Sequence, residues 1–192
     1  VFKDRADTIK NVLTQEKAKD DTSILIQGKD FVITEKEIEL KEKVYNLKGE
    51  EDSETAAIKH LIERKVLLNK AKEMGYSITE DEIDRQISLV KEAVKTTENY
   101  SDYLNFVNEY GGEDAYWSDI RDTTGDTMII NKYLDYERKK YNQANGNDQT
   151  VRSNSNLFEG WNKQKAEIIN DLVKDQEITI LDSKYDNLAL TW

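Results

Sequence analysis

The chain has 192 residues, of which 35% are charged and 37% are hydrophobic. This length is enough for one domain with its own core, and the ten Tyr, the three Trp and the regularly spaced Ile and Leu argue against a disordered chain. The formal net charge of −11 favours solubility and opposes binding to nucleic acid and to anionic membrane surfaces. We therefore expect an elongated helical protein with no nucleic-acid partner.

The first predicted elements are a charged helix and a β-hairpin. Apolar residues at helical spacing predict a helix over residues 2–19. The segment "SILIQGKDFVIT" then holds two short apolar runs on either side of a Gly-Lys-Asp turn. Ile24 and Ile26 alternate in the first run, and Phe31 and Ile33 alternate in the second. This alternation predicts two short strands joined as a hairpin.

Strong start and stop signals divide the following residues into helices. A Thr-x-x-Glu capping box, in which each partner satisfies an orphan backbone N–H, occurs at residues 34–37 and again at 79–82. Ser53 is the predicted N-cap of the helix between them. Gly49 and Gly75 are predicted to end helices, because a helix often ends on a residue with positive φ. The sequence therefore predicts a helical hairpin around Gly75.

The second half is predicted to contain further helices and a closing strand. Ser101 is the predicted cap of a helix that ends at Gly111-Gly112, and a long helical pattern follows over residues 113–141. Gly125 should weaken or bend that helix. The polar segment 142–156 reads as a flexible linker or as a hairpin.

A helix and a short strand are predicted to close the chain. "LFEGWNKQKAEIINDLV" has helical periodicity, and "QEITILD" has the pattern of a strand. We expect this strand to pair with "SILIQ" or with "DFVIT", because pairing would cover an exposed strand edge. The predicted fold class is therefore mainly α with a small β element, in which the N-terminal hairpin and the C-terminal strand come together.

Residues that carry catalytic or metal chemistry are scarce. His60 is the only His and there is no Cys, so a usual zinc site and an ordinary Ser-His-Asp triad are excluded. The sequence lacks the glycine-rich P-loop motif that holds nucleotide phosphates. The acidic residues of "DIRDTTGDT" do not have the spacing of an EF-hand loop. We expect no cofactor, no metal and no enzyme activity.

Aromatic residues are the more informative feature. They crowd the segment after residue 99, and Tyr and Trp provide large contact areas that tolerate water. Some of these rings must belong to the core, but such a cluster is also typical of a surface for extended peptides. The candidate client-binding residues are Tyr100, Tyr103, Phe106, Tyr110, Tyr116, Trp117 and Tyr136.

Several segments resemble the SurA/PrsA family of extracytoplasmic chaperones. "ILIQGKDFVITEKEIE" is similar to the family's first strand, turn and helix start, and "AIKHLIERKVLLNKAKEMGYSITEDEID" is the closest match. "YWSDIRDTTGDTMIINKYLDYE" and "FEGWNKQKAEIINDLVKDQEITILD" resemble the family's long helix and its closing helix and strand. The matching residues of the central motif are Leu61, Ile62, Glu63, Arg64, Leu67, Leu68, Ala71, Gly75, Ile78, Thr79, Glu82 and Ile83.

The resemblance implies a domain arrangement. Residues 1–22 would be an N-terminal helical extension, 23–182 a chaperone domain shaped as a multi-helix cradle, and 183–192 a C-terminal tail. Family members often carry a parvulin-type prolyl isomerase domain between the long helix and the closing helix. Here residues 142–156 stand in that place, and fifteen residues are too few for a domain of at least about 50. We therefore do not carry isomerase activity over to this chain.

The function implied by the resemblance is that of an ATP-independent chaperone. It would bind unfolded or partly folded exported proteins through an apolar and aromatic groove. The alternative is a dedicated interaction or scaffold protein of the cell envelope, and a prolyl isomerase is the less favoured third. The resemblance also implies an extracytoplasmic, secreted or envelope location in a bacterium. Because the chain opens at Val1 without an initiator Met, we expect that an export signal has been removed, and a homodimer formed by swapping a terminal element is compatible with the pattern.

Overall fold

The structure, a computed structural model, describes residues 2–17, 23–145 and 155–192, without the side chains of residues 155–157. Its chain divides into two compact units. Unit 1 comprises Val1–Ser23, Thr34–Ile58 and Ile78–Met128, and unit 2 comprises Ile24–Ile33, Lys59–Ser77 and Ile129–Trp192. The fold is mainly α with one small antiparallel sheet, as predicted.

Eight α-helices and three strands are found in the described residues. In chain order they are α1 (Phe2–Lys17), β1 (Ile24–Gln27), β2 (Val32–Thr34), α2 (Glu35–Lys48), α3 (Ser53–Glu73), α4 (Glu80–Val94), α5 (Tyr100–Tyr110), α6 (Glu113–Asp119), α7 (Arg121–Ala144), α8 (Ser155–Asp175) and β3 (Thr179–Ile180). A short 3₁₀ turn follows at Ser183–Tyr185. The predicted linker at 142–156 falls largely on residues 146–154, which lie outside the described residues.

The sheet joins both ends of unit 2, and its strand order is β2-β1-β3. β3 runs antiparallel to β1, with Ile180 opposite Ile26 and Thr179 opposite Gln27. The predicted hairpin and the predicted meeting of the two β segments are confirmed, and "SILIQ" is the segment that β3 pairs with. The predicted alternation is wrong for the first strand, because Ile24 is exposed whereas Leu25 and Ile26 are both buried.

Each unit has its own buried apolar side chains. Those of unit 1 include Ala6, Val12, Ile38, Leu40, Ala57, Ile58, Ile83, Ile87, Val107 and Tyr110. Those of unit 2 include Leu25, Ile26, Ile33, Leu61, Ile62, Val66, Leu67, Ala71, Trp161, Ile169 and Val173.

Both predicted capping boxes are present. The backbone N–H of Thr34 donates to Glu37 Oε2 at 2.9 Å, and the Glu37 N–H donates back to Thr34 Oγ1 at 3.3 Å. Thr79 and Glu82 repeat this exchange at the start of α4. After α3, Gly75 has a φ of +83°, and the Tyr76 N–H bonds to the Ala71 carbonyl as in a Schellman motif. These local signals fix where α2, α3 and α4 begin or end.

Two predicted serine caps are wrong. Asp52, not Ser53, caps α3, because Asp52 Oδ1 accepts from the Thr55 N–H at 3.1 Å. The Ser53 hydroxyl is buried and donates instead to Glu42 Oε1 of α2 at 3.2 Å. Ser101 lies inside α5, which starts after Asn99 without a side-chain cap. Adjacent polar residues at a helix start give the same sequence signal, and tertiary contacts select among them.

The long helix predicted over 113–141 is interrupted. The break between α6 and α7 is at Ile120, and α7 continues through Gly125 as regular helix. Gly125 is buried, and a Cβ on it would lie 2.9 Å from Ile83 Cδ1 of α4. Close packing of α7 on α4, rather than a bend, therefore explains the glycine. No helix in the described part of the chain combines the length and apolar character needed to cross a membrane.

Candidate functional site

Six of the seven candidate aromatic residues come together in unit 1. Tyr100, Tyr103, Phe106 and Tyr110 lie on α5, and Tyr116 and Trp117 lie on α6; we call these six the aromatic cluster. Tyr136 lies on α7 in unit 2, where it is exposed and the Lys140 ammonium is 5.3 Å from its ring centroid.

A double-glycine turn between α5 and α6 assembles the cluster. Gly111 and Gly112 have φ values of +116° and +109°, a region that residues with a side chain rarely occupy. The Gly112 N–H donates to the Val107 carbonyl at 2.8 Å and closes the last turn of α5. The chain then starts α6 at once, so rings about ten residues apart in sequence become neighbours.

Ring contacts join the cluster in two groups, one of four rings around Tyr116 and one of Tyr100 with Tyr103. Tyr116 is central: its ring centroid lies 5.4 Å from that of Phe106, 5.3 Å from that of Tyr110 and 5.4 Å from that of Trp117, each in an edge-to-face arrangement. Such geometry is favoured by the ring quadrupoles. The Tyr100 ring stacks on Tyr103 at 6.4 Å. These contacts hold the rings in a fixed arrangement.

Two phenol hydroxyl groups of the cluster donate hydrogen bonds to acidic side chains. The Tyr103 hydroxyl donates to Glu113 Oε1 at 2.6 Å and accepts from Trp117 Nε1 at 3.0 Å. The Tyr110 hydroxyl donates to Asp119 Oδ2 at 2.8 Å. Tyr110 is fully buried and is part of the core of unit 1, whereas the other five residues of the cluster are half-buried.

Three phenols of the cluster have raised pKa values. Burial, together with the hydrogen bond to Glu113, raises the pKa of Tyr103 to about 12. Burial and the bond to Asp119 also raise the pKa of Tyr110, and burial raises that of Tyr116. Near neutral pH these three phenols are therefore uncharged.

Two lysines from other helices contact α5 and α6 at the cluster. Lys91 of α4 lies 3.4 Å from Glu113 Oε2 and 3.1 Å from Asp114 Oδ1. Burial alone would lower the pKa of Lys91, but the hydrogen bond to Asp114 and the charge of Glu113 raise it overall. Lys10 of α1 donates to the Tyr110 carbonyl at 3.1 Å, and its ammonium is 5.6 Å from the Tyr110 ring centroid.

Unit 2 contains a groove that the sequence did not reveal. Its volume is about 510 Å³, and it is lined by Asp30, Val66, Asn69, Lys70, Glu73, Leu172, Asp175 and Gln176. Lys70 pairs with Glu73 at 2.9 Å, and Gln176 hydrogen-bonds to Asp30 on its wall. The groove lies where the hairpin turn meets α3 and α8.

The acidic partners of the cluster were also missed. Glu113 and Asp119 were not singled out from the sequence, because carboxylates are frequent along the whole chain. The signal that could have found them is the Gly-Gly turn, which folds α6 back on α5. Among the described residues, no group of three His, Cys, Asp or Glu side chains is arranged to hold a metal ion.

Comparisons with known proteins identify no relative: the chain matches no protein-family model, no curated protein and no solved structure. The resemblance to the SurA/PrsA family therefore stays a prediction.

Proposed function

We propose that this protein is an ATP-independent chaperone that binds unfolded or partly folded exported proteins. The observation that carries the proposal is the set of five half-buried rings on α5 and α6, which ring contacts and hydrogen bonds hold in place. Fixed Tyr and Trp rings offer a large amphipathic contact area at low cost in conformational entropy.

Other features of the chain are consistent with weak and broad binding. A holding chaperone needs a surface that tolerates many sequences, and such a surface uses several modest contacts rather than one deep pocket. The net charge of −11 favours solubility of a complex with an aggregation-prone client. The absence of a nucleotide-binding motif from the sequence fits activity without ATP. The extracytoplasmic location belongs to the same proposal and rests on the sequence resemblance alone.

The direct test is light scattering. Two unrelated, chemically denatured clients are diluted into buffer without ATP, with and without equimolar protein. We expect scattering to fall for both clients. If it falls for neither, the protein is not a general chaperone, and a dedicated scaffold for one partner becomes the better explanation.

A pair of surface variants assigns the activity to the cluster. Tyr100→Ser removes the ring at the end of the cluster, where its ring contact is with Tyr103. Phe158→Ser is the matched control, because Phe158 is an exposed aromatic residue on α8, 52% accessible. We expect Tyr100→Ser to weaken client binding about fivefold, equivalent to about 1 kcal/mol. The control should bind as the parent does, and the melting temperature of both variants should stay within about 2 °C of the parent.

A further inference from the structure

We infer that the aromatic cluster selects client segments that combine aromatic or aliphatic residues with Lys or Arg. The inference rests on the proposed function and adds the chemistry of the preferred client to it.

Residues 100–119, which contain the whole cluster, carry five acidic side chains and no basic one. Glu113 and Asp119 accept the phenol hydrogen bonds described above. The other three, Asp102, Glu109 and Asp114, are exposed, and the Asp114 side chain is fully accessible. Negative charge is therefore built into the same two helices as the rings.

Helical spacing puts two of these carboxylates beside the half-buried ring of Phe106. Asp102 and Phe106 are four residues apart on α5, and Phe106 and Glu109 are three apart. Side chains at these spacings are neighbours on a helix surface. A client ring that packs near Phe106 would therefore have an acidic side chain one turn away in each direction.

The lysines near the cluster compensate only part of this charge. Lys91 is shared between Glu113 and Asp114, and Lys10 is directed to the Tyr110 ring and carbonyl. Lys95 pairs with Glu92, three residues earlier in the chain, at 2.6 Å. Within the described residues no ion pair involves Asp102 or Glu109, and both side chains are exposed to a ligand.

The position of Lys10 shows the kind of contact that a client cation would make. Its ammonium lies 5.6 Å from the Tyr110 ring centroid, within the range of about 6 Å for a cation–π contact. A client Lys or Arg over a half-buried ring would gain the same attraction and, in addition, attraction from the flanking carboxylates. Two such contacts are enough to raise affinity about tenfold over an uncharged segment of equal apolar content.

The experiment measures binding of fluorescent peptides of equal length by anisotropy. The first combines aromatic residues with Lys, the second with Ser and the third with Glu, and the fourth contains Lys and Ser without any aromatic residue. We expect the first to bind about tenfold more tightly than the second at low salt, and the second more tightly than the third and fourth. The advantage of the first should shrink at about 0.3 M salt, because exposed charges are then screened.

Two triple variants of equal net charge locate the selectivity. Asp102→Asn, Glu109→Gln and Asp114→Asn together neutralise the exposed carboxylates of the cluster and leave every ring in place. Glu167→Gln, Asp171→Asn and Asp186→Asn together neutralise three exposed carboxylates of unit 2. We expect the first triple variant to bind the Lys and Ser aromatic peptides alike, and the second to retain the preference for Lys.

The outcomes separate the inference from the proposed function. Equal binding of all three aromatic peptides by the parent protein would overturn the inference and leave the chaperone proposal standing. The inference would also be overturned if the Lys-Ser peptide without rings bound as tightly as the peptide that combines aromatic residues with Lys. Charge alone would then be recognised. Loss of selectivity in both triple variants would place the effect in the net charge of the protein rather than in the cluster. If no peptide binds and no client aggregation is suppressed, the proposed function itself fails.

Discussion

The side chain of Gln176 holds Asp30 through both of its polar atoms. Gln176 Nε2 donates to Asp30 Oδ2 at 3.0 Å, and Gln176 Oε1 accepts from the Asp30 backbone N–H, also at 3.0 Å. The Gln176 carbonyl accepts in addition from the Lys29 N–H at 3.0 Å. Gln176 directly follows α8, so these bonds attach the end of that helix to the turn between β1 and β2.

Replacing Gln176 should destabilise unit 2. Gln176 is only 9% accessible, and Gln176→Ala would leave the Asp30 N–H without its partner. A hydrogen bond contributes about 0.5–1.5 kcal/mol to stability, so the loss of both side-chain bonds of Gln176 costs about 1–3 kcal/mol. We expect the free energy of unfolding in urea to fall by this amount, and amide exchange of β1 and β3 to accelerate.

Asp30→Asn is the conservative control for this contact. Its side-chain oxygen can still accept from Gln176 Nε2, and its backbone N–H is unchanged. The free energy of unfolding should therefore change by less than about 0.5 kcal/mol. If Gln176→Ala were as mild as Asp30→Asn, the two hydrogen bonds would not be what holds the turn.

The N-cap of α3 offers a second test, because the structure has Asp52 as the cap where the sequence predicted Ser53. Asp52→Ala should lower the free energy of unfolding by about 0.5–2 kcal/mol, because the Thr55 N–H loses its acceptor. Asp52→Asn should retain most of the stability, since an amide oxygen can still accept. Ser53→Ala removes the hydroxyl bond to Glu42 but no helix cap. Urea unfolding of the three variants would contradict this assignment if Asp52→Ala had no effect.

Those parts of the fold that depend on neighbours in sequence were predictable. The two Thr-x-x-Glu boxes and the glycines at 49, 75 and 111 act on backbone groups within a few residues, so their pattern alone fixes the ends of helices. The strand in "QEITILD" was likewise recognisable from its β-branched residues. Its partner was not, because "SILIQ" and "DFVIT" have equivalent patterns and the choice depends on tertiary packing.

The candidate site was predictable in composition but not in arrangement. The clustering of Tyr and Trp after residue 99 singled out the residues. Which ring is buried depends on α1, which packs against α5 in unit 1. The sequence does not show that Tyr110 is covered while Tyr100 is half-buried. Gly125 is a second example. The cost of a glycine to helix stability can be read from the sequence, but the contact that requires a glycine here is with the side chain of Ile83 on another helix.

Gly125 and Ile83 should therefore be energetically coupled. Gly125→Ala gains about 1 kcal/mol of helix propensity but brings the new methyl group against Ile83 Cδ1, which must shift. Ile83→Val deletes that Cδ1 and by itself costs about 0.5–1.5 kcal/mol. We expect Gly125→Ala to be nearly neutral in the parent protein and to stabilise the Ile83→Val variant by about 1 kcal/mol. A double-mutant cycle by urea unfolding measures the coupling, and additive effects would show that the contact is unimportant.

Burial of Tyr103, together with its hydrogen bond to Glu113, predicts a loss of stability at high pH. The pKa of this phenol is raised to about 12 in the folded protein, from about 10 in an unfolded chain. The neutral phenol is thus favoured by folding, so its contribution is fully present below about pH 10 and is lost as the pH rises through 12. Tyr103→Phe should be less stable than the parent at pH 7, because it lacks the bonds to Glu113 and Trp117, and its stability should fall less between pH 10 and pH 12.

Two neighbours of Tyr103 should move its pKa in opposite directions. Glu113 accepts a hydrogen bond from the Tyr103 hydroxyl and carries negative charge, so Glu113→Gln should lower the pKa of Tyr103. Trp117 donates to the phenol oxygen and favours its ionised form, so Trp117→Phe should raise that pKa. The Tyr103 ring carbon that bears the hydroxyl reports ionisation directly in a ¹³C NMR titration, with Tyr103→Phe identifying its signal. Shifts of the same sign in both variants would mean that a general change in burial, and not these two hydrogen bonds, controls the phenol.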